Sequence, residues 1–445
     1  MKLNEIIEFN PTRNLKKGEN APFVEMAALA QDSRDISYCF KKEFNGSGTK
    51  FKNGDTLLAR ITPCLENGKT AKVNCLEDDE IAHGSTEFIV LKAKEPEYDE
   101  DFIYYLCRWD KFRNYAIARM EGSSGRQRVD WKAIADYDCE LPKKEERKQI
   151  GYFLKQIDDK IANNNNLNRT LEFIIQTLFQ SWFVDFEPVK AKIAAKQQGG
   201  DPQLLAMMAI SGKSKDELKQ FSVERFNELA MIASLFPDEL IESPLGKIPF
   251  GWKAEPIGEL SENKAKTFDF RNKKDVVFLN TGDVLNGKIL HNNISSIEIL
   301  PGQAKKAIEK DDILFSEIRP INRRFAYVSK DLKDHVVSTK FMVIKSNGKL
   351  DSRLVYINLK QDSTIQLFNT LAESRSGTFP QITFDTIKHI LWVVPEHKVQ
   401  NCFLKRIMPI INRQELLEKE TDKLSLIRDT LIPNLMSKEL INNEG

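Results

Sequence analysis

The feature that most constrains this chain is an apolar stripe that occurs twice, 253 residues apart. From Ile150 to Trp182, apolar residues recur at alternating steps of four and three, which is the spacing of a coiled-coil seam. The same seam returns from Phe403 to Leu435. A single amphipathic helix cannot bury such a stripe alone. The sequence therefore predicts two long helices of one pattern that pack against each other.

The repeat extends beyond the helices. Thr86 returns as Thr339 at a step of 253, and the strand-like stretch after Asp55 returns after Asp312 at a step of 257. A small drift of this kind is expected where loops gain or lose residues. A period this long indicates paired domains rather than a solenoid. The predicted fold class is α+β: an internal duplication with two tandem mixed α/β domains joined by two long antiparallel coiled-coil helices.

Breaks rich in Pro and Gly, together with changes of hydrophobic period, divide the chain into five segments. We predict a first mixed domain (1–142), a central helix (143–189), a helical insertion present only once (190–245), a second mixed domain (246–395) and a C-terminal helix (396–445). Within the first domain we expect one helix from Asp101 to Met120. Ser214 and Glu217 have the spacing of a capping box, which predicts a helix through Leu235.

The sequence shows no catalytic constellation. It contains no phosphate-binding glycine motif, its five histidines are isolated, and its six cysteines form no CxxC pair. We therefore expect no metal, no cofactor and no catalysis on this chain. The longest apolar run is far shorter than a membrane span, and the first residues lack the apolar core of a secretion signal. Because the cysteines also suggest no disulfide framework, we expect a protein of the reducing cytoplasm.

Basic loops are the strongest functional signal. Arg and Gln side chains at strand ends and helix starts can contact phosphates or read guanine and adenine edges, although an exposed charged loop is more often simply solvated. The DNA-binding candidates with this placement are Arg60, Lys69, Arg126, Gln127, Arg128, Arg319, Arg323, Arg324, Thr378 and Gln381. The two copies differ in these loops while their scaffold positions persist. This difference predicts two ligands bound by one chain.

The seam residues have a packing role. Contacts between the two helices are predicted for Ile157, Ile161, Leu171, Leu178, Ile410, Leu417, Leu424 and Leu431. Asn164, Asn168 and Thr421 are polar interruptions that we expect to fix the register. From Ile150 to Trp182 the helix would extend about 48 Å, compared with about 34 Å for one turn of duplex. We therefore predict that the helices hold two DNA-binding domains more than one turn apart.

Several stretches together resemble the specificity subunit of Type I restriction-modification systems over essentially the whole chain. They are Leu178–Phe186, Phe236–Leu240, Leu245–Trp252, Leu431–Ser437, and the pair Gln381-Ile382 after Gly377. The first copy departs from this pattern at Arg126-Gln127-Arg128, where the glutamine stands one place away from its counterpart.

The resemblance implies a non-catalytic DNA-recognition subunit. Each mixed domain would be a target recognition domain that binds one half of a bipartite asymmetric sequence, and the antiparallel helices would be a spacer. The implied partners are double-stranded DNA, two modification methyltransferase subunits and two restriction motor/nuclease subunits. S-adenosylmethionine, ATP and Mg would be bound by those subunits. The alternative is a duplicated protein-interaction scaffold that binds no DNA, and a steep dependence of affinity on salt would distinguish DNA binding from it.

Overall fold

The computed structural model describes residues 1–123, 125–264, 266–375 and 377–437. These residues form two compact units. The first contains residues 1–170 and the described part of 413–445, and the second contains residues 171–412. Residues 438–445 of the predicted C-terminal segment lie outside the described residues. Each unit combines one mixed domain with a part of each long helix.

The first unit is built from short strands. They are β1 (Ile7–Phe9), β2 (Asn20–Val24), β3 (Phe40–Glu43), β4 (Thr49–Phe51), β5 (Thr56–Ala59), β6 (Thr70–Lys72), β7 (Ala82–Gly84), β8 (Phe88–Ala93), β9 (Met120–Glu121) and β10 (Arg128–Val129). Its helices are α1 (Pro96–Arg108), α2 (Asp110–Ile117), α3 (Trp131–Ala135) and the first part of α4 (Lys144–Phe179), with 3-10 turns at Leu3–Glu5 and Met26–Ala28. Two sheets have the orders β1-β8-β5-β6 and β3-β2-β7-β4.

The central strands of the first unit are buried on both faces, which explains their continuous apolar runs. In the antiparallel pair β5 and β8, Leu57 lies opposite Val90, and Leu58 lies opposite Ile89. Successive side chains of a strand point to opposite faces. Leu57 and Val90 accordingly join one hydrophobic cluster, while Leu58 and Ile89 join another that includes helix α1.

The second unit begins with the last part of α4, from Leu171 onward, and continues through a helical segment into its own mixed domain. Its helices are α5 (Glu187–Gln197), α6 (Pro202–Ser211), α7 (Lys215–Leu218), α8 (Val223–Ser234), α9 (Ile257–Leu260), α10 (Ser352–Leu359), α11 (Asp362–Arg375), α12 (Phe384–Ile387) and the first part of α13 (His397–Met436). Its strands are β11 (Leu240–Ser243), β12 (Gly246–Pro249), β13 (Lys253–Pro256), β14 (Ser261–Asn263), β15 (Asp275–Leu279), β16 (Val284–Leu285), β17 (Lys288–Ile289), β18 (Ile294–Ser296), β19 (Ala304–Ala307), β20 (Ile313–Ser316), β21 (Phe325–Tyr327), β22 (His335–Ser338), β23 (Phe341–Ser346) and β24 (Leu391–Val394). Further turns are π-helical at Gln180–Val184 and 3-10 at Thr281–Asp283, Ile297–Ile299 and Pro320–Asn322.

The second unit repeats the sheets of the first. Its orders are β14-β23-β20-β21 and β18-β15-β22-β19, and in each unit the second sheet contains one parallel pair. Asn10 and Asn263 occupy the same place in the two copies. Their side-chain oxygens accept the backbone N–H of Val90 at 2.9 Å and of Val343 at 3.1 Å, respectively. The predicted duplication and α+β class are confirmed.

Within the first unit, α4 and α13 run antiparallel and bury an apolar seam. Ile157 and Ile161 are buried in one cluster with Ile432, and Leu424 and Leu431 pack against it. Away from this cluster, Leu417 is also buried, with 1% of its surface exposed. Apolar residues at a and d spacing thus meet across the helix pair, as the heptad pattern predicts.

A buried polar network crosses the same helix pair. Arg428 donates to one carboxylate oxygen of Asp158 at 2.6 Å, and Tyr105 of α1 donates to the other at 2.7 Å. The Asp158 and Arg428 side chains are only 3% and 4% exposed. The network therefore joins the mixed domain to both helices of this unit.

The predicted polar interruptions lie near this network. Asn164 donates to Glu420 at 2.9 Å, and Gln414 donates to the backbone carbonyl of Asn168 at 3.2 Å. The side-chain amide of Asn168 and the hydroxyl of Thr421 are buried without a hydrogen-bond partner in the described part of the chain. Asn164 thus makes a specific contact across the pair, which a register-fixing residue requires.

In the second unit the corresponding parts of α4 and α13 pack through apolar side chains. Leu178 and Ile410 pack against a cluster that contains Ile175, Phe179 and Phe403. Leu171 is half-buried. At the step of 253, Asp158 corresponds to Ile411 and Arg428 corresponds to Ile175. At these matched positions the first unit therefore has a buried ion pair, and the second unit has two isoleucines.

Two sequence-based expectations about helices were wrong in detail. The single helix expected from Asp101 to Met120 is two helices, α1 and α2, because Trp109 adopts an extended conformation between them. The capping box at Ser214 and Glu217 forms as predicted, but it begins only the short helix α7, and Ser222 caps the separate helix α8. Local caps were recognised, while the breaks between helices were not.

Candidate nucleic-acid interface

The predicted basic loop of the first domain is organised around three residues, Arg60, Glu87 and Arg128, which we name the first strand-end cluster. Arg60 follows strand β5, and its backbone N–H donates to the carbonyl of Glu87 at 3.0 Å. The carbonyl of Arg60 in turn accepts the N–H of Val129 at 3.0 Å. Three segments that are distant in sequence are thereby fixed side by side at one sheet end.

Arg128 forms the ion pair of this cluster. Its Nε and Nη2 donate to the Glu87 carboxylate at 2.7 to 3.0 Å, and its Nη1 donates to the carbonyl of Arg126 at 3.1 Å. The Arg128 side chain remains 40% exposed and that of Glu87 is 23% exposed. Hydrogen bonding to the Glu87 carboxylate raises the pKa of Arg128. Arg128 is thus held in one orientation with its outer edge toward solvent.

The second domain has the same backbone arrangement around Glu317, Lys340 and Gln381, the second strand-end cluster. Glu317 follows strand β20, its N–H donates to the carbonyl of Lys340 at 2.9 Å, and its carbonyl accepts the N–H of Ile382 at 2.8 Å. Isolated bridges pair Ile61 with Arg128 in one domain and Ile318 with Gln381 in the other. These matching contacts make Arg128 the structural counterpart of Gln381.

Charges at the matched positions are exchanged between the two clusters. Arg60 corresponds to Glu317, and Glu87 corresponds to Lys340. In the second cluster the amide nitrogen of Gln381 donates to Glu317 at 2.7 Å, whereas in the first cluster Arg128 pairs with Glu87, which matches Lys340 and not Glu317. The scaffold is therefore conserved within the chain, while the groups at its exposed end differ in charge and in hydrogen-bonding type.

The remaining candidates of the first domain have different surroundings. Arg60 is half-buried, and its Nε has no hydrogen-bond partner among the described residues. Lys69 donates to the carbonyl of Met26 at 3.0 Å. Arg126 is exposed, whereas Gln127 is half-buried and its carbonyl accepts the N–H of Thr62. Arg60, Arg126 and Arg128 thus lie at one end of the domain, whereas the Lys69 side chain makes a structural contact with the backbone.

In the second domain, the three predicted arginines differ in their surroundings. Arg319 is exposed and has a positive φ of 43°, next to the loop that carries Gln381. Arg323 pairs with Asp362 of α11 at 2.7 Å, and Arg324 donates to the carbonyls of Gly282 and Val284 at 2.9 and 3.2 Å. Arg319 therefore remains available at the loop, whereas Arg323 and Arg324 make structural contacts.

Thr378 is exposed on the same loop. The next residue, Phe379, is 79% exposed and stands at the step of 253 from Arg126. Phe379, Glu87, Glu317 and Lys340 were not among the residues predicted from the sequence. The repeat itself could have identified Phe379 and Glu317, because they match the candidates Arg126 and Arg60, whereas Glu87 and Lys340 match each other.

Across the residues that the structure describes, no group of three or more His, Cys, Asp or Glu side chains is placed to hold a metal ion. Among the same residues, no helix has the length and apolar character needed to cross a bilayer.

The fold and the two matched clusters define a class of protein: a duplicated chain with two mixed domains, each followed by a long helix. A family model described as Type I restriction modification DNA specificity domain matches residues 1–172 and 249–426. The chain belongs to this family.

Individual relatives carry the same description. The chain is 46% identical over 181 residues to the HindI specificity subunit of Haemophilus influenzae, and this match covers 40% of the chain and 39% of the relative. It is 22% identical over 351 residues to the MjaIX specificity subunit of Methanocaldococcus jannaschii, covering 76% of the chain and 69% of the relative. The chain thus matches well under half of the length of the HindI relative.

The fold is also similar to a solved structure. The crystal structure of the S subunit of a Type I restriction-modification system from M. genitalium aligns with a TM-score of 0.51, covering 98% of this chain and 95% of that chain. The sequence identity is 13%, so this likeness concerns the fold alone.

Proposed function

We propose that this chain is the DNA-recognition subunit of a Type I restriction-modification complex. The main support for this proposal is that the specificity-domain family model matches twice, once over each mixed domain with its long helix. Each mixed domain acts as a target recognition domain for one half of a bipartite asymmetric sequence. The two helices set the separation between the halves and dock the methyltransferase subunits.

The strand-end clusters support two different half-sites. At this end of the first domain the arginines Arg60, Arg126 and Arg128 supply hydrogen-bond donors only, whereas at the matching end of the second domain the Gln381 carboxamide supplies both donors and an acceptor. Base edges in the major groove differ in their donor and acceptor patterns. Two domains with one scaffold and unlike edge groups suit an asymmetric target.

In this proposal the chain performs no chemistry. S-adenosylmethionine is bound by two modification methyltransferase subunits, and ATP and Mg are bound by two restriction motor/nuclease subunits. The complex works in the cytoplasm on double-stranded DNA. The role of this chain is to position those subunits on a chosen sequence.

A selection from a randomised duplex library tests the proposal. The full chain, co-purified with the methyltransferase subunits of its own system, should enrich a sequence with two fixed halves separated by an unread gap. Affinity for the enriched duplex should fall steeply with salt, because each neutralised phosphate releases counterions. A complex that enriches no sequence, with binding independent of salt, would favour the protein-interaction scaffold.

A further inference from the structure

The two strand-end clusters differ in the hydrogen-bonding groups that they leave unused. A guanidinium has five N–H donors. The Nε–H and one N–H of Nη2 of Arg128 donate to Glu87, and one N–H of its Nη1 donates to the carbonyl of Arg126. One N–H on each Nη has no partner in the described part of the chain. Arg128 therefore offers two donors and no acceptor.

Gln381 presents a different edge. A carboxamide has two N–H donors and one oxygen acceptor. The Gln381 nitrogen donates to the Glu317 carboxylate at 2.7 Å. Because a carboxylate only accepts, this bond fixes which end of the amide faces Glu317. One N–H and the carbonyl oxygen remain unpartnered within the described residues, so Gln381 offers one donor and one acceptor.

These two patterns match different purines. In the major groove guanine presents two acceptors, O6 and N7, while adenine presents the N7 acceptor and the N6 donor. We propose that Arg128 reads a guanine in the half-site of the first domain and that Gln381 reads an adenine at the corresponding place of the other half-site. This inference rests on the proposed function and assigns base-reading residues to it.

The surroundings of Arg128 and Gln381 favour a role in base recognition over a purely structural role. Hydrogen bonds to Glu87 and Glu317 hold the two side chains in place, which preorganises them for a contact. Arg60, whose Nε is buried without a hydrogen-bond partner among the described residues, lies beside Arg128 along the backbone. Arg60 thus adds a donor that is unsatisfied among the described residues at the same end of the first domain as Arg128.

The first test converts one cluster toward the other. In Gln381→Arg, Glu317 remains in place to accept from the new guanidinium. A randomised duplex library should then yield guanine instead of adenine at one position of the second half-site. The preference for adenine should fall by roughly 5- to 150-fold, the range for one bidentate contact. Gln366→Arg makes the same substitution at an exposed site of α11 and should leave the selected sequence unchanged.

The second test preserves the ion pair with Glu87 and removes only the planar guanidinium. Arg128→Lys keeps a cation beside Glu87, so the domain should fold, but an ammonium cannot make the planar bidentate contact. The preference for guanine at one position of the first half-site should fall by roughly 5- to 150-fold. Arg113→Lys alters another Arg–carboxylate pair of the same domain, with Asp110, and should change no position.

The outcomes separate this inference from the function on which it rests. If the wild-type complex enriches no sequence, the proposed function fails and this inference fails with it. If the wild type enriches a bipartite sequence, and both Gln381→Arg and Arg128→Lys enrich that same sequence in folded complexes, the function stands and the assignment of these residues is overturned. A changed base in the matching half-site alone supports the assignment.

Discussion

Removing Arg428 should destabilise the first unit far more than removing an exposed cation from the same helix pair. Arg428→Met deletes the guanidinium that donates to Asp158 at 2.6 Å, and it leaves a carboxylate that is 3% exposed and whose remaining donor among the described residues is the Tyr105 hydroxyl. Breaking one side of a buried ion pair costs about 3–5 kcal/mol. For a domain of about 150–250 residues, each kcal/mol shifts Tm by about 2–4 °C. We therefore expect a loss of about 6–20 °C.

The control and the compensating variant come from the same helices. Lys160 pairs with Glu420 at 3.5 Å, and both side chains are 45% exposed, so Lys160→Met should cost less than about 1 kcal/mol. Combining Asp158→Leu, Arg428→Met and Tyr105→Phe removes all three polar groups. The free energy of unfolding of this triple variant should lie within about 1 kcal/mol of the wild-type value or above it, because an apolar replacement of a buried ion pair is often neutral or stabilising.

Differential scanning calorimetry of the full chain measures these shifts. Hydrogen exchange of the α4 peptides from Lys144 to Thr170 assigns the transition to the first unit. The reasoning would be refuted if Arg428→Met shifted Tm no more than Lys160→Met does. It would equally be refuted if the triple variant were as unstable as Arg428→Met alone, because the loss would then come from packing volume and not from an unpaired charge.

Three further predictions concern the proposed function. Replacing residues 1–142 with the equivalent domain of a relative should change one half of the selected DNA sequence, and a change in both halves would contradict independent recognition by the two domains. Purified alone, the chain should neither methylate nor cleave DNA in the presence of S-adenosylmethionine, ATP and magnesium, and activity that persisted in a pure sample would indicate an enzyme. Inserting one heptad after Arg169, with a matching heptad in α13, should lengthen the unread gap by roughly three base pairs, since seven residues add about 10 Å and duplex rises about 3.4 Å per base pair. Library selection measures the gap, and an unchanged gap in a folded complex would show that the helices do not set it.

The family could be recognised from the sequence because its signals are local or repeated. A heptad is visible in consecutive residues, and a duplication appears as the same residues at a fixed step. Capping boxes are equally local, and the one at Ser214 and Glu217 forms as predicted. The break at Trp109 was missed because the helical pattern of the flanking residues continues across it, although the backbone there is extended.

The candidate site was predicted only as a set of basic loops. Sequence placed Arg126, Arg128 and Gln381 on loops that differ between the copies, and the step of 253 sets Gln381 against Arg128, one place from Gln127. The backbone contacts agree with this match, because Arg128 and Gln381 each pair with the residue two places beyond the end of a central strand. The sequence could not show that Glu87 and Glu317 bind these side chains, because those contacts join residues 41 and 64 positions apart.

The amino-acid sequence alone predicts the architecture: two copies of a mixed domain, two long helices, and membership of a family. Which polar groups already have partners depends on the folded structure. Arg428 and Asp158 are 270 residues apart, and Arg128 and Glu87 are 41 apart. Periodicity along the chain gives no information about such pairs, because a hydrogen bond depends on atoms meeting within about 3 Å. The folded chain alone distinguishes an arginine that holds the helices together from one that leaves two donors without a partner among the described residues.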